Sequence, residues 1–149
     1  MKDNKGKNIK PDSLSGNDIA LIYFHSHNLP LSLEYINKAN LIRNKNLEPN
    51  HPSLALGYNH LSNINRANND LKEALLASKK SLEILEAILP KEHNNLGMGY
   101  NHTAFAYFSM GIKFQALTNI KFAIAIWDKV YPNGHPSLEY AMKLFNLCK

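Results

Sequence analysis

The sequence predicts an all-α fold in which antiparallel helix pairs stack as a solenoid. A phrase of about twelve residues recurs every 42 residues, as "HPSLALGYNHLS" (51–62), "HNNLGMGYNHTA" (93–104) and "HPSLEYAMKLFN" (135–146). Between these phrases, apolar residues follow helical spacing and are interrupted by Pro or Gly. No alternating run of Val, Ile or Thr indicates a strand. A period of this length is typical of stacked supersecondary units, each of which buries its apolar face against the next.

The composition is that of one folded domain. The chain has 149 residues, of which 44% are hydrophobic and 19% charged, so a buried core can form without an unusual net charge. No apolar run is long enough to span a bilayer, and the basic N-terminus has no apolar segment behind it. The single Cys148 excludes an internal disulfide and fits a reducing compartment. These observations predict a cytoplasmic protein that does not enter the membrane.

The excess positive charge is concentrated at the N-terminus. Residues 1–10 contain four Lys and one Asp, so they carry three of the five net positive charges. We therefore expect residues 1–8 to form a flexible basic tail. The rest of the chain shows no cluster of Lys and Arg on one element, which disfavours nucleic-acid binding by the folded part.

The repeat divides the chain into successive units. Counting from His51 without a gap gives units 51–92 and 93–134, a weaker copy at 9–50, and a partial copy at 135–149. In each full unit a first helix ends at a turn and a second helix ends near a proline, as at Pro90. The partial copy holds a first helix alone, which we interpret as a capping helix.

Small residues recur at the same places in the units. Because Ala and Ser let two helix backbones approach closely, these columns predict where the paired helices cross. The three columns are Ala20, Ser62 and Ala104; Ser32, Ala74 and Ala116; and Ala39, Ser81 and Ala123.

The motifs of the second and third units resemble a known family. "YNHLS" in the first helix, Asn69 at the turn, "EALLA" and "KSLEI" in the second helix and His51-Pro52 at the junction are similar to tetratricopeptide repeats of the 42-residue kind found in kinesin light chains. The resemblance covers residues 9–149, with Gly16 and His27 as departures in the first unit. It implies a right-handed solenoid whose first helices line a concave groove that binds peptides.

Within that groove, an asparagine column is the main candidate for binding. Asn17, Asn59 and Asn101 occupy one position in consecutive units, and a carboxamide can pair with both N–H and C=O of an extended peptide. The alternative is that these side chains bond to neighbouring helices within the scaffold. Adjacent positions on the same stripe would select side chains. The candidate groove residues are Asn17, Asn59, Asn63, Arg66, Asn101, Phe105 and Phe108.

No pattern predicts an enzyme, a metal or a cofactor. His51 and His60, like His93 and His102, lie nine residues apart, too far along one helix to share an ion, and no acidic or cysteine cluster completes a site. The glycines of "GMG" at 97–99 follow no strand, so they do not form a nucleotide loop. No nucleophile with a base partner is visible.

The sequence therefore predicts a non-enzymatic scaffold or adaptor that binds a peptide or protein segment. Two alternatives stay open. The chain could act as an accessory or regulatory subunit that docks, or self-associates, through its apolar C-terminal helix. With less support, it could act as a nucleic-acid-associated regulator through its basic tail.

Overall fold

The computed structural model describes residues 16–149, so the predicted tail (1–8) and the start of the first unit (9–15) lie outside the described residues. The described part contains helices and no strand, which confirms the all-α prediction. None of these helices combines the length and apolarity needed to cross a bilayer. In order, they are α1 (Gly16–His25), α2 (Leu29–Asn46), α3 (Pro52–Ala67), α4 (Leu71–Ile88), α5 (Asn94–Ser109), α6 (Lys113–Val130) and α7 (Pro136–Cys148).

The helices pack as consecutive antiparallel pairs that stack into a solenoid. Helix α1 packs against α2, α3 against α4, and α5 against α6. Each second helix also packs against the following first helix, and the odd-numbered helices α1 and α3, or α5 and α7, touch one another. We call the odd-numbered helices the first helices, and the surface that they share the first-helix face.

The recurring histidine before each first helix is an N-cap. Nδ1 of His51, His93 and His135 accepts a hydrogen bond from the backbone N–H two residues later, at 3.1, 3.0 and 3.1 Å. A helix leaves its first N–H groups without intrahelical partners, and a side-chain acceptor at this position satisfies one of them. The His-Pro phrase therefore marks the start of a helix in the structure as well as in the sequence.

The turn inside each helix pair also repeats in conformation. His27, Asn69 and Gly111 lie 42 residues apart and have φ angles of 60°, 63° and 78°. This left-handed region suits glycine, is tolerated by asparagine, and strains other residues. The turn geometry is thus kept in all three pairs although only one of them has glycine.

The small-residue columns lie where the backbones cross. All nine residues are buried. In the first pair the Ser32 hydroxyl donates to the Ala20 carbonyl at 2.7 Å, whereas in the second pair the Ser62 hydroxyl donates to the Ala74 carbonyl at 2.8 Å. The serine is on the second helix in the first pair and on the first helix in the second pair, but the two helices cross at the same positions. A hydroxyl group on either helix can donate to a carbonyl of the other helix, because the two positions face each other at close range.

The largest core cluster joins α4 and the last helix pair to α7. Trp127 is 2% exposed in this cluster, and its Nε1–H donates to Oδ1 of Asn94 at 2.8 Å. Gly97 leaves the space that the indole fills, since a Cβ atom there would collide with Trp127. Leu138 and Leu144 of α7 are buried in the same cluster. The glycines of "GMG" therefore serve helix packing, and α7 covers the core of the last pair.

The N-cap predicts a measurable contribution to stability. Replacing His93 by Ala should lower the free energy of unfolding by about 1 kcal/mol, because the N–H of Asn95 loses its acceptor. Replacement by Asn, which is a good cap, should retain most of that stability. Urea unfolding at neutral pH measures both variants. An equal loss in both would show that the imidazole acts through packing and not as a cap.

The positive φ at the turn gives a second prediction. Gly111→Ala should destabilise the chain by about 1 kcal/mol, since an L-residue is strained there and a Cβ atom would meet no neighbour within 4 Å. His27→Gly should act in the opposite direction, because it relieves the same strain in the first pair. Thermal unfolding compares the two. Destabilisation by both substitutions would contradict a backbone cause.

Candidate binding surface on the first helices

All seven predicted groove residues lie on first helices. Asn17 is on α1, Asn59, Asn63 and Arg66 are on α3, and Asn101, Phe105 and Phe108 are on α5. Asn17 is 7% exposed, and the other six are half-buried. Phe108 packs against the largest core cluster, so part of its ring contributes to the fold.

Four side chains form a continuous line across three first helices. An Nη atom of Arg66 donates to Oδ1 of Asn63 at 3.2 Å. The guanidinium lies over the Phe105 ring at 4.5 Å from its centroid, and Phe105 stacks on Tyr140 of α7 at 6.4 Å between centroids. Burial lowers the pKa of Arg66, and the nearby Tyr140 partly offsets this effect. Tyr140 is not among the groove residues predicted from the sequence, although it lies on α7 42 residues after Met98 of α5.

A hydrogen bond joins the asparagine column to the next first helix. Nδ1 of His102 lies 2.6 Å from Oδ1 of Asn59. Because this oxygen can only accept, the ring carries its proton on Nδ1. Burial and the positive charge of Arg66 lower the pKa of His102 to about 4, so the ring is neutral at physiological pH. Asn59 thus already has one partner within the scaffold.

A related arrangement surrounds His60, where α3 packs against the first helix pair. Burial lowers the pKa of His60, and the charge of Arg43 from α2 acts in the same direction, while Asp18 opposes both. Arg43 itself donates to Oδ1 of Asn40 at 3.1 Å. His60 and His102 are therefore both held toward the neutral form beside an arginine.

The asparagine column is not uniform in its bonding. Oδ1 of Asn17 and Oδ1 of Asn101 are buried and have no hydrogen-bond partner among the described residues, in contrast to Oδ1 of Asn59. A buried carbonyl oxygen without a donor costs free energy. Three residues at equivalent positions in the sequence therefore differ in their hydrogen bonding.

Two clefts open at equivalent places on this face. The first, between α3 and α5, has a volume of about 210 Å³ and is lined by Leu56 and Asn59. The second, between α5 and α7, has a volume of about 530 Å³ and is lined by Asn101 and Tyr140. Met98 lies on the wall of both. The larger cleft has aromatic and polar walls, whereas the smaller one is mainly aliphatic.

The histidines do not assemble a metal site in the described part of the chain. Across residues 16–149, no three His, Cys, Asp or Glu side chains come close enough together to hold an ion. Three histidines are N-caps, as described above, and His27 forms a turn.

The low pKa of His102 predicts an acid-sensitive fold. The folded-state pKa (about 4) lies below the ordinary value of 6.5, so the unfolded chain binds a proton first. The resulting stability is present above pH 6.5 and is lost as the pH falls toward 4. After allowance for solvent screening, His102→Gln should reduce this acid-induced loss by about 1–2 kcal/mol.

Urea unfolding at several pH values between these limits tests the prediction. The amide of Gln can still donate to Asn59 but does not titrate, so it is a matched replacement. Some pH dependence should remain in the variant, because His60 is shifted in the same direction. An identical pH profile in the two proteins would show that protonation of His102 does not oppose folding.

Comparison with known proteins agrees with this architecture. The family profile described as tetratricopeptide repeat matches residues 12–87, just over half of the chain. No functionally curated protein matches.

Solved structures similar to this chain are also repeat proteins. A Podosopora anserina protein, assigned as a kinesin light chain with nearly identical TPR-like repeats, has a TM-score of 0.83 at 22% identity, over 90% of this chain and 64% of that chain. A variant of the same protein gives 0.84 at 22% identity, over 90% and 63%. BtubC (BKLC) from P. vanneervenii gives 0.80 at 18% identity, over 95% and 57%. The chain therefore spans less than two thirds of these structures, and at this identity the likeness concerns the fold.

Proposed function

We propose that this chain, which belongs to the tetratricopeptide repeat family, is a non-enzymatic adaptor that binds an extended segment of another protein along its first-helix face. Repeats of this family generally mediate protein–protein interactions. The free Cys148 thiol is consistent with a reducing cytoplasm as the place where this occurs.

The observation that carries the proposal is a column of exposed apolar side chains in repeat register. Leu56, Met98 and Tyr140 lie 42 residues apart on consecutive first helices and are 51%, 40% and 48% exposed. Large apolar side chains in one continuous row are unusual on a surface that faces only water. The row runs beside both clefts, so a bound segment could place successive side chains in them.

The remaining groove residues would supply selectivity. Asn101 can hydrogen-bond a peptide group, and Arg66 presents a half-buried cation whose described contacts are an amide oxygen and an aromatic ring. Phe105, which supports that cation, would contact side chains of the partner together with Phe108.

One observation favours a second candidate, docking or self-association through α7. Met142 and Leu147 of α7 are 51% and 60% exposed, and Met142 and Phe145 line a cleft of about 430 Å³ against α6. This apolar surface lies on a different side of α7 from Leu138 and Leu144, which are buried. A partner helix or a second copy could cover it.

Site-specific photocrosslinking separates these candidates. A benzoylphenylalanine is placed at Met98, at Leu147, or at the control position Phe122, which is 52% exposed on α6. Lysate of the organism that makes the chain supplies the partners. We expect a protein adduct from position 98 with a yield roughly tenfold above that from the control, because only this position borders both first-helix clefts.

Each outcome identifies a different surface. An adduct from position 147 alone would replace the groove proposal by the α7 proposal. An adduct whose mass falls to about that of the chain alone after nuclease treatment would instead identify a nucleic acid as the partner. Equal yields at positions 98 and 122 would contradict selective binding by the first-helix face.

A further inference from the structure

A second kind of cleft lies beside the second helices, apart from the two clefts of the first-helix face. The larger example, which we call the α6 cleft, has a volume of about 580 Å³, and an equivalent cleft of about 340 Å³ lies one unit earlier. Each of the nine residues that line the earlier cleft has its counterpart 42 positions later in the wall of the α6 cleft. The two walls therefore differ by substitutions within one shared geometry. The apolar surface of the α6 cleft is formed by Leu89, Leu96, Tyr100, Phe122, Ala125 and Ile126.

The first difference between the two clefts concerns a cation. In the earlier cleft, Nζ of Lys80 lies 5.4 Å from the centroid of the Tyr58 ring, so the chain itself supplies a positive charge at the aromatic side chain. In the α6 cleft the counterpart of Lys80 is Phe122, whose ring stacks on Tyr100 at 5.1 Å between centroids. Phe122 is 52% exposed. The α6 cleft thus presents a larger aromatic surface and, among the described residues, no cation over its rings.

The second difference is a carboxylate beside the rings. The Tyr58 hydroxyl oxygen accepts from the neutral amide of Asn44 at 3.2 Å, whereas the Tyr100 hydroxyl donates to Oε1 of Glu86 at 2.8 Å. Burial and this hydrogen bond raise the pKa of Tyr100 to about 12, so the hydroxyl stays protonated and holds the carboxylate in place. Glu86 is exposed and forms no ion pair within residues 16–149. Its charge is therefore accessible to a ligand.

The other charged side chains of the wall do not offer an equally ordered partner. Nζ of Lys129 lies 2.6 Å from Oε1 of Glu92, so these two charges neutralise each other. Lys91 lies in the turn after α4 and forms no ion pair within the described part of the chain. Glu86, in contrast, is already fixed by its hydrogen bond to Tyr100. Because a preordered group loses less conformational entropy on binding, the α6 cleft favours a cationic end group over an anionic one.

Two contacts that α6 makes across the cleft limit the size of a ligand. Lys129 reaches Glu92 in the turn after α4, and Phe122 reaches Tyr100 of α5. These two α6 residues are seven positions apart, which corresponds to about 10 Å along a helix. An extended polypeptide that crossed the cleft would have to break one of these contacts, whereas a small molecule can lie between them. A volume of about 580 Å³ is within the range of small-molecule sites.

We propose that the α6 cleft binds a small organic cation with an apolar body, whose ammonium or guanidinium group pairs with the carboxylate of Glu86. The apolar body would cover Leu89, Ala125 and the exposed part of the Phe122 ring. The site is independent of the proposed function, since Leu89 is its only lining residue that also borders a first-helix cleft. A small ligand forms no protein adduct, so position 122 remains a control in the photocrosslinking experiment.

Three probes that share an apolar body and differ in their end group test the proposal. They are hexylamine, hexanol and hexanoate, which are positive, neutral and negative at neutral pH. Titration of the isotope-labelled chain, followed by its amide chemical shifts, gives both the Kd and the residues that contact each probe. We expect hexylamine to bind about threefold to tenfold more tightly than hexanol, because it gains one exposed ion pair, and hexanoate to bind most weakly.

Three variants isolate the contribution of the carboxylate. Glu86→Gln keeps an acceptor for the Tyr100 hydroxyl and removes the charge, so hexylamine should bind no more tightly than hexanol. Glu83→Gln removes a carboxylate of the earlier cleft from the same helix, and this matched control should keep the preference for the amine. Phe122→Lys places an ammonium where Lys80 stands in the earlier cleft, and it should also remove the preference because an internal cation then competes for Glu86.

The remaining outcomes would overturn the proposal. Tighter binding of hexanoate than of hexylamine would show that Lys91 selects the end group. Equal Kd values for hexylamine and hexanol, or an amine preference that survives in Glu86→Gln, would show that the Glu86 carboxylate does not bind the cation. A preference lost in both Glu86→Gln and Glu83→Gln would indicate unspecific attraction to the surface charge. Absence of saturable shifts, or shifts confined to the first-helix clefts, would show that the α6 cleft is not the site.

Discussion

Close approach of the two backbones in each helix pair is the constraint on which this structure depends. At the crossings, Ala or Ser is the largest side chain that fits, and a hydroxyl on either helix bridges the gap, as the bonds of Ser32 and Ser62 show. A crossing fixed in this way also fixes the rotation of each helix about its axis. It therefore decides which side chains are buried and which reach the first-helix face.

Once the rotation is fixed, the repeat brings together residues about 42 positions apart. The exposed row of Leu56, Met98 and Tyr140 arises in this way, and so does the contact between Asn59 and His102. Because each unit contacts only its neighbours, a change in one unit alters one junction and leaves the others intact. Leu144 is such a change. It fills the core beneath α7, at the position where the two preceding units have His60 and His102.

The charges of the face follow from the same packing. Arg66 and Arg43 are partly buried between helices, and their charges help to keep His102 and His60 neutral. A neutral imidazole can donate from one nitrogen and accept at the other, which a charged ring cannot do. The arginines therefore affect the hydrogen-bonding capacity of the face as well as its electrostatic potential.

The sequence by itself determined the helices, their order and their crossings, because these depend on local signals and on a repeat that needs no structure to be seen. Pro52 begins α3 as predicted, and the left-handed turn falls at Asn69 and Gly111; α4 ends at Ile88, since the residue before Pro90 is restricted as well. Only the tertiary structure decided the bonding of the asparagines. Asn17, Asn59 and Asn101 are identical in sequence and position, but only the Asn59 oxygen meets a donor within the described residues, and that donor comes from another helix. The identity of residues at one position of the repeat cannot show that contact, and therefore could not show that the oxygen of one carboxamide is paired while the oxygens of the other two are buried without a partner.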